Sequence, residues 1–99
     1  VGGRIRFEWN ERTARTNYEK HGVRFEEART VFFEEDALFY DDPDHSDDEE
    51  RFLLVGPSAM LRLLVVVHCC REPDEVIRII SARKATRRER RAYVEARSR

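Results

Sequence analysis

Arg78-Ile79-Ile80-Ser81-Ala82-Arg83-Lys84-Ala85-Thr86-Arg87-Arg88-Glu89 begins as a β-branched strand and ends as the capped start of a helix. Thr86-Arg87-Arg88-Glu89 fits a capping box, in which the threonine oxygen caps the helix and the glutamate reaches back to the cap. Ala92, Tyr93 and Ala96 give the helix beyond it a thin apolar face, and arginine fills most other positions. Core-building alone would place Val or Leu along such a strand. An anionic ligand, most simply a phosphate backbone, explains arginines on both sides of the joint. By side-chain alternation Arg78 shares a face with Val76, Ile80 and Ala82, whereas Arg83 points with Ile77, Ile79 and Ser81. The two can serve one site if the strand twists or ends between them, and an end near Ser81–Ala82 is expected.

Upstream, two more strands precede this one. Arg51–Val55 is followed by a turn at Gly56-Pro57-Ser58-Ala59. The run from Leu61 to Cys69 is nearly all apolar and reads as a central strand covered on both faces. A turn at Arg71–Glu75 then leads into Val76–Ser81. Connections this short imply an antiparallel meander. Asp41–Asp48 reads as a polar loop, and Ala37–Tyr40 before it as a short extended piece.

The N-terminal part reads as a strand and two helices. Arg4–Trp9 alternates, with Ile5, Phe7 and Trp9 on one face. Asn10 is placed to cap a helix over about 11–20, with Ala14, Asn17, Tyr18 and His21 at helical spacing and Gly22 as its stop. A second helix is expected from Phe25 to about Glu34, with Phe25, Ala28, Val31 and Phe32 as its stripe. The order is strand, two helices, a run of strands, then a helix. That is an α+β domain, with helices packed on an antiparallel sheet.

The chain has 99 residues, enough for one domain spanning 1–99 with a modest core. It is 39% charged, and its net charge of −1 conceals a split. Residues 34–50 hold ten acids and no Lys or Arg, while residues 78–99 hold nine bases against two acids. A basic face for nucleic acid, or for an acidic partner, is one reading; two solvated faces that partly neutralise each other is the other. No apolar run approaches the roughly 20 residues of a membrane span, and Val1-Gly2-Gly3-Arg4 carries no signal-peptide core. A cytoplasmic location is therefore expected. Cys69 and Cys70 have neither disulfide nor metal-ligand spacing and read as core filling.

The residues suited to chemistry are mostly arginines. Arg51, Arg71, Arg78 and Arg83 lie on or beside strands, where a planar guanidinium can bind phosphate by two parallel hydrogen bonds. For any one of them an ion pair with the acidic stretch competes as an explanation. His21, at the end of the first helix beside Lys20, and His45, in the acidic loop, suit proton transfer near neutral pH. Their plainer roles are a helix C-terminal cation and a solvated loop residue. His68, in the most apolar strand, reads as a core histidine. Glu50 adjoins Arg51 and could act as a base or orient that arginine. The acidic loop lacks the spacing and glycine of a calcium loop, and no Gly-rich phosphate loop or zinc pattern occurs. No metal and no cofactor is expected.

Several segments in order resemble a known family: Phe7-Glu8-Trp9-Asn10, Asn17-Tyr18-Glu19-Lys20-His21-Gly22-Val23, Phe25-Glu26-Glu27-Ala28, Asp44-His45-Ser46, Glu50-Arg51, and the stretch from Arg78 to Arg90. Together they resemble BrnT-type toxins of bacterial type II toxin–antitoxin pairs. The resemblance implies a small ribonuclease with a RelE-like fold. It implies a cognate antitoxin with a ribbon-helix-helix DNA-binding part, and a higher-order complex that represses its own operon. Operator DNA would be reached only through the antitoxin, which leaves the basic face for RNA. The matching polar positions are Lys20, His21, His45, Glu50, Arg51, Arg71, Arg78 and Arg83. Two positions depart from the pattern. The turn Ala59-Met60-Leu61-Arg62 lacks an expected glycine, and Cys69-Cys70 stands where a small polar residue is expected before Arg71.

The expected activity is metal-independent RNA cleavage that inhibits translation. Arg83, Arg51 and Arg71 are assigned to phosphate and transition-state charge, with Arg78 as alternate. His21 or Glu50 is the expected base and His45 a candidate acid. Lys20, Arg78, Lys84, Arg87 and Arg88 are expected to hold RNA. The alternative is a binding module without chemistry, whose basic face serves only nucleic acid or a protein partner.

Overall fold

The structure, a computed structural model, describes residues 5–42, 50–71 and 75–98. His45 and most of the acidic loop lie outside the described residues. Five strands, β1 (Arg6–Glu8), β2 (Leu38–Asp41), β3 (Phe52–Pro57), β4 (Leu63–Arg71) and β5 (Val76–Lys84), form one sheet in the order β1-β5-β4-β3-β2. The meander β3-β4-β5 is antiparallel as expected; β2 joins it antiparallel beside β3, and β1 adds a parallel edge against β5. Helices α1 (Glu11–His21), α2 (Phe25–Thr30) and α3 (Arg87–Arg97) complete the α+β domain. Among the described residues no helix is long and apolar enough to cross a membrane.

One face of the sheet carries the main core. Leu54, Leu64, Val66, Ile77, Ile79 and Ala82 meet Val23, Phe25, Ala28 and Val31 from the α1–α2 side. Phe7 and Trp9 pack against this cluster, but Ile5 is exposed, because β1 begins only at Arg6. The opposite face is covered in part. Val55, Leu63 and Val65 lie under Ala85 and Tyr93, and α3 buries none of its own residues fully. Tyr93 is tied across by its hydroxyl, which donates to the Asp36 carbonyl at 2.9 Å.

Local chemistry explains the boundaries. Asn10 accepts from Thr13 N–H, and Gly22 closes α1 in the left-handed region at φ 70°. The second helix stops at Thr30, short of the expected Glu34, and continues as a 3₁₀ turn through Phe33. Strand β3 runs through Pro57, past the expected turn at Gly56. Only glycine fits there, since an added Cβ would lie 2.9 Å from Ala37 Cβ. His68 is a core histidine, as expected, ringed by Phe32, Phe39 and Phe52, and burial pushes its pKa down. Cys69 is buried, whereas Cys70 is exposed and fills no core.

The turn that lacks its glycine places Leu61 at φ 62°, with 90% of the residue exposed. A leucine gains nothing there and bears the steric cost of the left-handed region. Leu61→Gly is expected to raise stability by about 0.5–1 kcal/mol, the left-handed penalty less the extra freedom of the unfolded chain. A melting temperature higher by about 3–5 °C would show it; an unchanged or lower value would contradict it.

Candidate nucleic-acid interface

The uncovered part of the sheet gathers the arginines. Side chains of Val65, Val67, Cys69 and Arg71 share one face of β4 by alternation. Arg78 lies opposite Cys69, and Glu8 lies opposite Arg78. Arg51, one residue before β3, follows the same alternation onto this face with Leu53 and Val55. The row Arg51–Cys69–Arg78–Glu8 therefore crosses four strands, and Arg71 stands beside it. At about 4.8 Å per strand gap the row is roughly 14 Å long.

Two clefts flank it. One, of about 150 Å³, is lined by Asn10, Thr13, Arg51, Arg78, Ile79 and Ile80. The other, of about 220 Å³, is lined by Arg6, Phe7, Glu8, Arg71 and Val76. The first lies against the start of α1, whose dipole adds a positive end to the two guanidinium groups. Glu8 accepts from Arg71 Nη1 at 2.7 Å and from Arg78 Nη1 at 3.1 Å, both on one oxygen.

Arg83 shares this face, against the expectation from simple alternation. The strand does not end near Ser81–Ala82 but runs through Lys84. Ile79 pairs with His68 and Ser81 with Val67, so Ile80 is an extra residue without a ladder partner. This bulge turns Ala82 into the helix-side core and Arg83 outward, opposite Val65. Yet Arg83 stands four ladder steps from Arg78, roughly 13 Å along the sheet. Its Nη1 and Nη2 donate to the two Glu89 oxygens at 2.7 and 2.8 Å. Its guanidinium therefore belongs to the strand-to-helix joint, where the capping box is present as expected: Glu89 N–H donates to Thr86 Oγ1 and Thr86 N–H donates to Glu89.

Hydrogen bonding from Arg83 holds the Glu89 carboxyl down to about 2, against the opposing effect of burial. A carboxyl depressed in the folded state adds stability above its unfolded value near 4.5, and that stability is lost as pH falls through about 2. Carboxyl ¹³C shifts of Glu89 are expected to titrate near the lower value. In Arg83→Ala the midpoint should climb toward the ordinary range; an unmoved midpoint would mean that the pair is not the cause.

The remaining predicted residues sit elsewhere. Asn17, buried in α1, donates to the Ala82 carbonyl at 2.8 Å and accepts from Ala82 N–H at 3.0 Å. It takes the place of a strand along β5, where the short β1 has ended. This lays α1 beside β5, with Asn10 and Thr13 near Arg78 and with Lys20 and His21 toward Lys84. Arg62 Nη2 donates to Gly22 O at 3.1 Å and holds that end against the start of β4. The expected site thus divides into two groups. One is Arg51, Arg71 and Arg78, with the exposed Glu50 beside Arg51. The other is the exposed Lys20 and Lys84 with the half-buried His21. Arg87 and Arg88 are exposed in the first turn of α3, where cations oppose the helix dipole.

Sequence reasoning missed Glu8 as a site residue, although an acid on the polar face of the first strand was a usable signal. A buried carboxylate, Glu27, was also missed. Glu27 accepts from Ser58 Oγ at 2.7 Å and from Arg62 Nε at 2.9 Å, and the Arg62 contact keeps its pKa low. This group fastens the β3–β4 turn to α2 and lies away from the arginine row. Among the described residues no group of three His, Cys, Asp or Glu could hold a metal ion.

Comparison with known proteins agrees with this architecture. A search of curated proteins finds no match. A crystal structure of the Brucella abortus ribonuclease toxin BrnT is similar in fold, with a TM-score of 0.63 and 23% identity over 85% of this chain and 100% of that one. The family model for BrnT, the ribonuclease toxin of type II toxin–antitoxin systems, matches residues 9–89. The match takes in Asn17, Arg51, Arg71, Arg78 and the joint up to Glu89, and this chain belongs to the BrnT ribonuclease toxin family.

Proposed function

We propose that this chain is an endoribonuclease toxin that cuts RNA without a metal ion, on the open face of its sheet. The observation that carries the reading is the gathering of Arg51, Arg71 and Arg78 on one face, with Arg51 and Arg78 lining a cleft at the start of α1. RNA brings its own nucleophile, the 2′-OH. The protein has to position the strand, move protons and stabilise extra negative charge on phosphorus. Arg51, Arg71 and Arg78 are assigned to that phosphate and its charge. Glu50, beside Arg51, is the nearer of the two candidate bases, since His21 lies at the far end of α1. His45 keeps its candidacy as the acid. Lys20, Lys84, Arg87 and Arg88 extend the positive track that an RNA strand would follow.

In this reading the toxin acts in the bacterial cytoplasm by halting translation. A ribbon-helix-helix antitoxin neutralises it, and the assembled complex reaches operator DNA through the antitoxin. The second reading, binding without chemistry, draws on one observation: carboxylates already contact Arg71, Arg78 and Arg83. Purified protein incubated with RNA and a chelator, alone and in a translating extract, separates the two. Cleavage that survives chelation in either setting is expected. RNA bound and left intact in both would establish the binding module.

A further inference from the structure

Glu8 contacts two arginines of the open face, and its geometry is unlike that of a casual surface pair. The contacts come from three strands: Glu8 on β1, Arg71 on β4 and Arg78 on β5. Both end on the same carboxylate oxygen, at 2.7 and 3.1 Å. The parallel register of β1 sets Glu8 directly opposite Arg78. The group is half exposed, so the pairs add little to stability. What they do fix is direction. Arginine side chains carry large rotamer freedom, and a shared acceptor removes much of it before any ligand arrives.

We propose that Glu8 is the positioning residue of this site: one carboxylate oxygen holds Arg71 and Arg78 side by side over the open sheet face, so that both guanidinium groups meet one phosphate of the RNA. The proposal rests on the ribonuclease reading above. It does not make Glu8 a proton carrier. The second guanidinium nitrogens stay available to the phosphate while the first nitrogens remain on Glu8.

Two variants separate alignment from charge. Glu8→Gln keeps an acceptor oxygen at the same reach and removes the charge; Glu8→Ala removes both. Alignment predicts that Glu8→Ala lowers kcat by about a hundredfold while Glu8→Gln stays within about threefold of wild type. KM should not rise in either, because each removes a negative charge from a surface that binds a polyanion. Wild-type kcat in Glu8→Ala would overturn the proposal. So would an equal fall in both variants, which would assign Glu8 to proton transfer.

A titration with inorganic phosphate decides the alignment independently of cleavage. The Nε–H resonances of Arg71 and Arg78 are expected to shift together, with one midpoint, in wild type and Glu8→Gln but not in Glu8→Ala. A joint shift that persists in Glu8→Ala would overturn the proposal. Wild-type protein that leaves RNA intact, in buffer and in translating extract, would sink the ribonuclease reading, and the titration would still decide the role of Glu8.

Discussion

Arg78→Ala is expected to lower RNA cleavage by about a hundredfold in kcat, and Arg51→Ala to do the same. Both guanidinium groups line one cleft, beside the start of α1. A pentavalent phosphorus gathers negative charge that the ground state lacks, and donors fixed around it act mainly on the barrier. KM should change less than kcat, because Lys20, Lys84, Arg87 and Arg88 hold the remainder of the strand. Arg83→Ala is the internal contrast. Its guanidinium grips Glu89 at the joint, so its loss should loosen α3 more than it slows chemistry. Single-turnover cleavage of a short RNA, with thermal melting in parallel, measures both effects. Arg78→Ala and Arg51→Ala cutting at the wild-type rate, with Arg83→Ala inactive but fully stable, would move the reaction centre to the far end of β5.

The second large effect is on stability. Asn17→Ala should cost about 4 kcal/mol, from lost buried hydrogen bonds and the backbone groups left without partners. Asn17 is 5% exposed and also donates to the Val23 carbonyl at 3.0 Å. It therefore ties α1, the turn after Gly22 and the free edge of β5 in one place. A domain of this size holds roughly 5–15 kcal/mol in all. The melting temperature should fall by about 15 °C or more. A shift under about 5 °C would mean that water replaces the amide at little cost.

Much of this architecture was legible in the residues. The capping box Thr86–Glu89, the Asn10 cap and the Gly22 stop are local signals, and each stands where expected. The meander followed from short turns between apolar runs. Asn17 was legible only as a helix-face position; a lone amide among apolar neighbours signals a buried partner, but not that the partner is Ala82, 65 residues away. Long-range pairing also hid the Glu8 contacts. Arg83 looked like the leading group because local spacing shows where a charge is, not that Glu89 already holds it. His21 was grouped with the arginines because nothing local shows that α1 runs alongside β5 and carries its last turn away from them.

The extra residue at Ile80 has a consequence for any chain of this design. Arg78 and Arg83 are separated by an odd number of positions, so a regular strand would put them in opposite phase. The bulge is a phase shifter that brings both to one side while leaving Ile77, Ile79 and Ala82 in the core. Deleting Ile80 would leave the two arginines four positions apart, in phase on a regular strand, so both would keep their side without the bulge. Relatives whose two arginines stand an even number of positions apart need no such device. The parity of that spacing is thus a constraint on insertion and deletion in the strand, and it operates without naming any residue type.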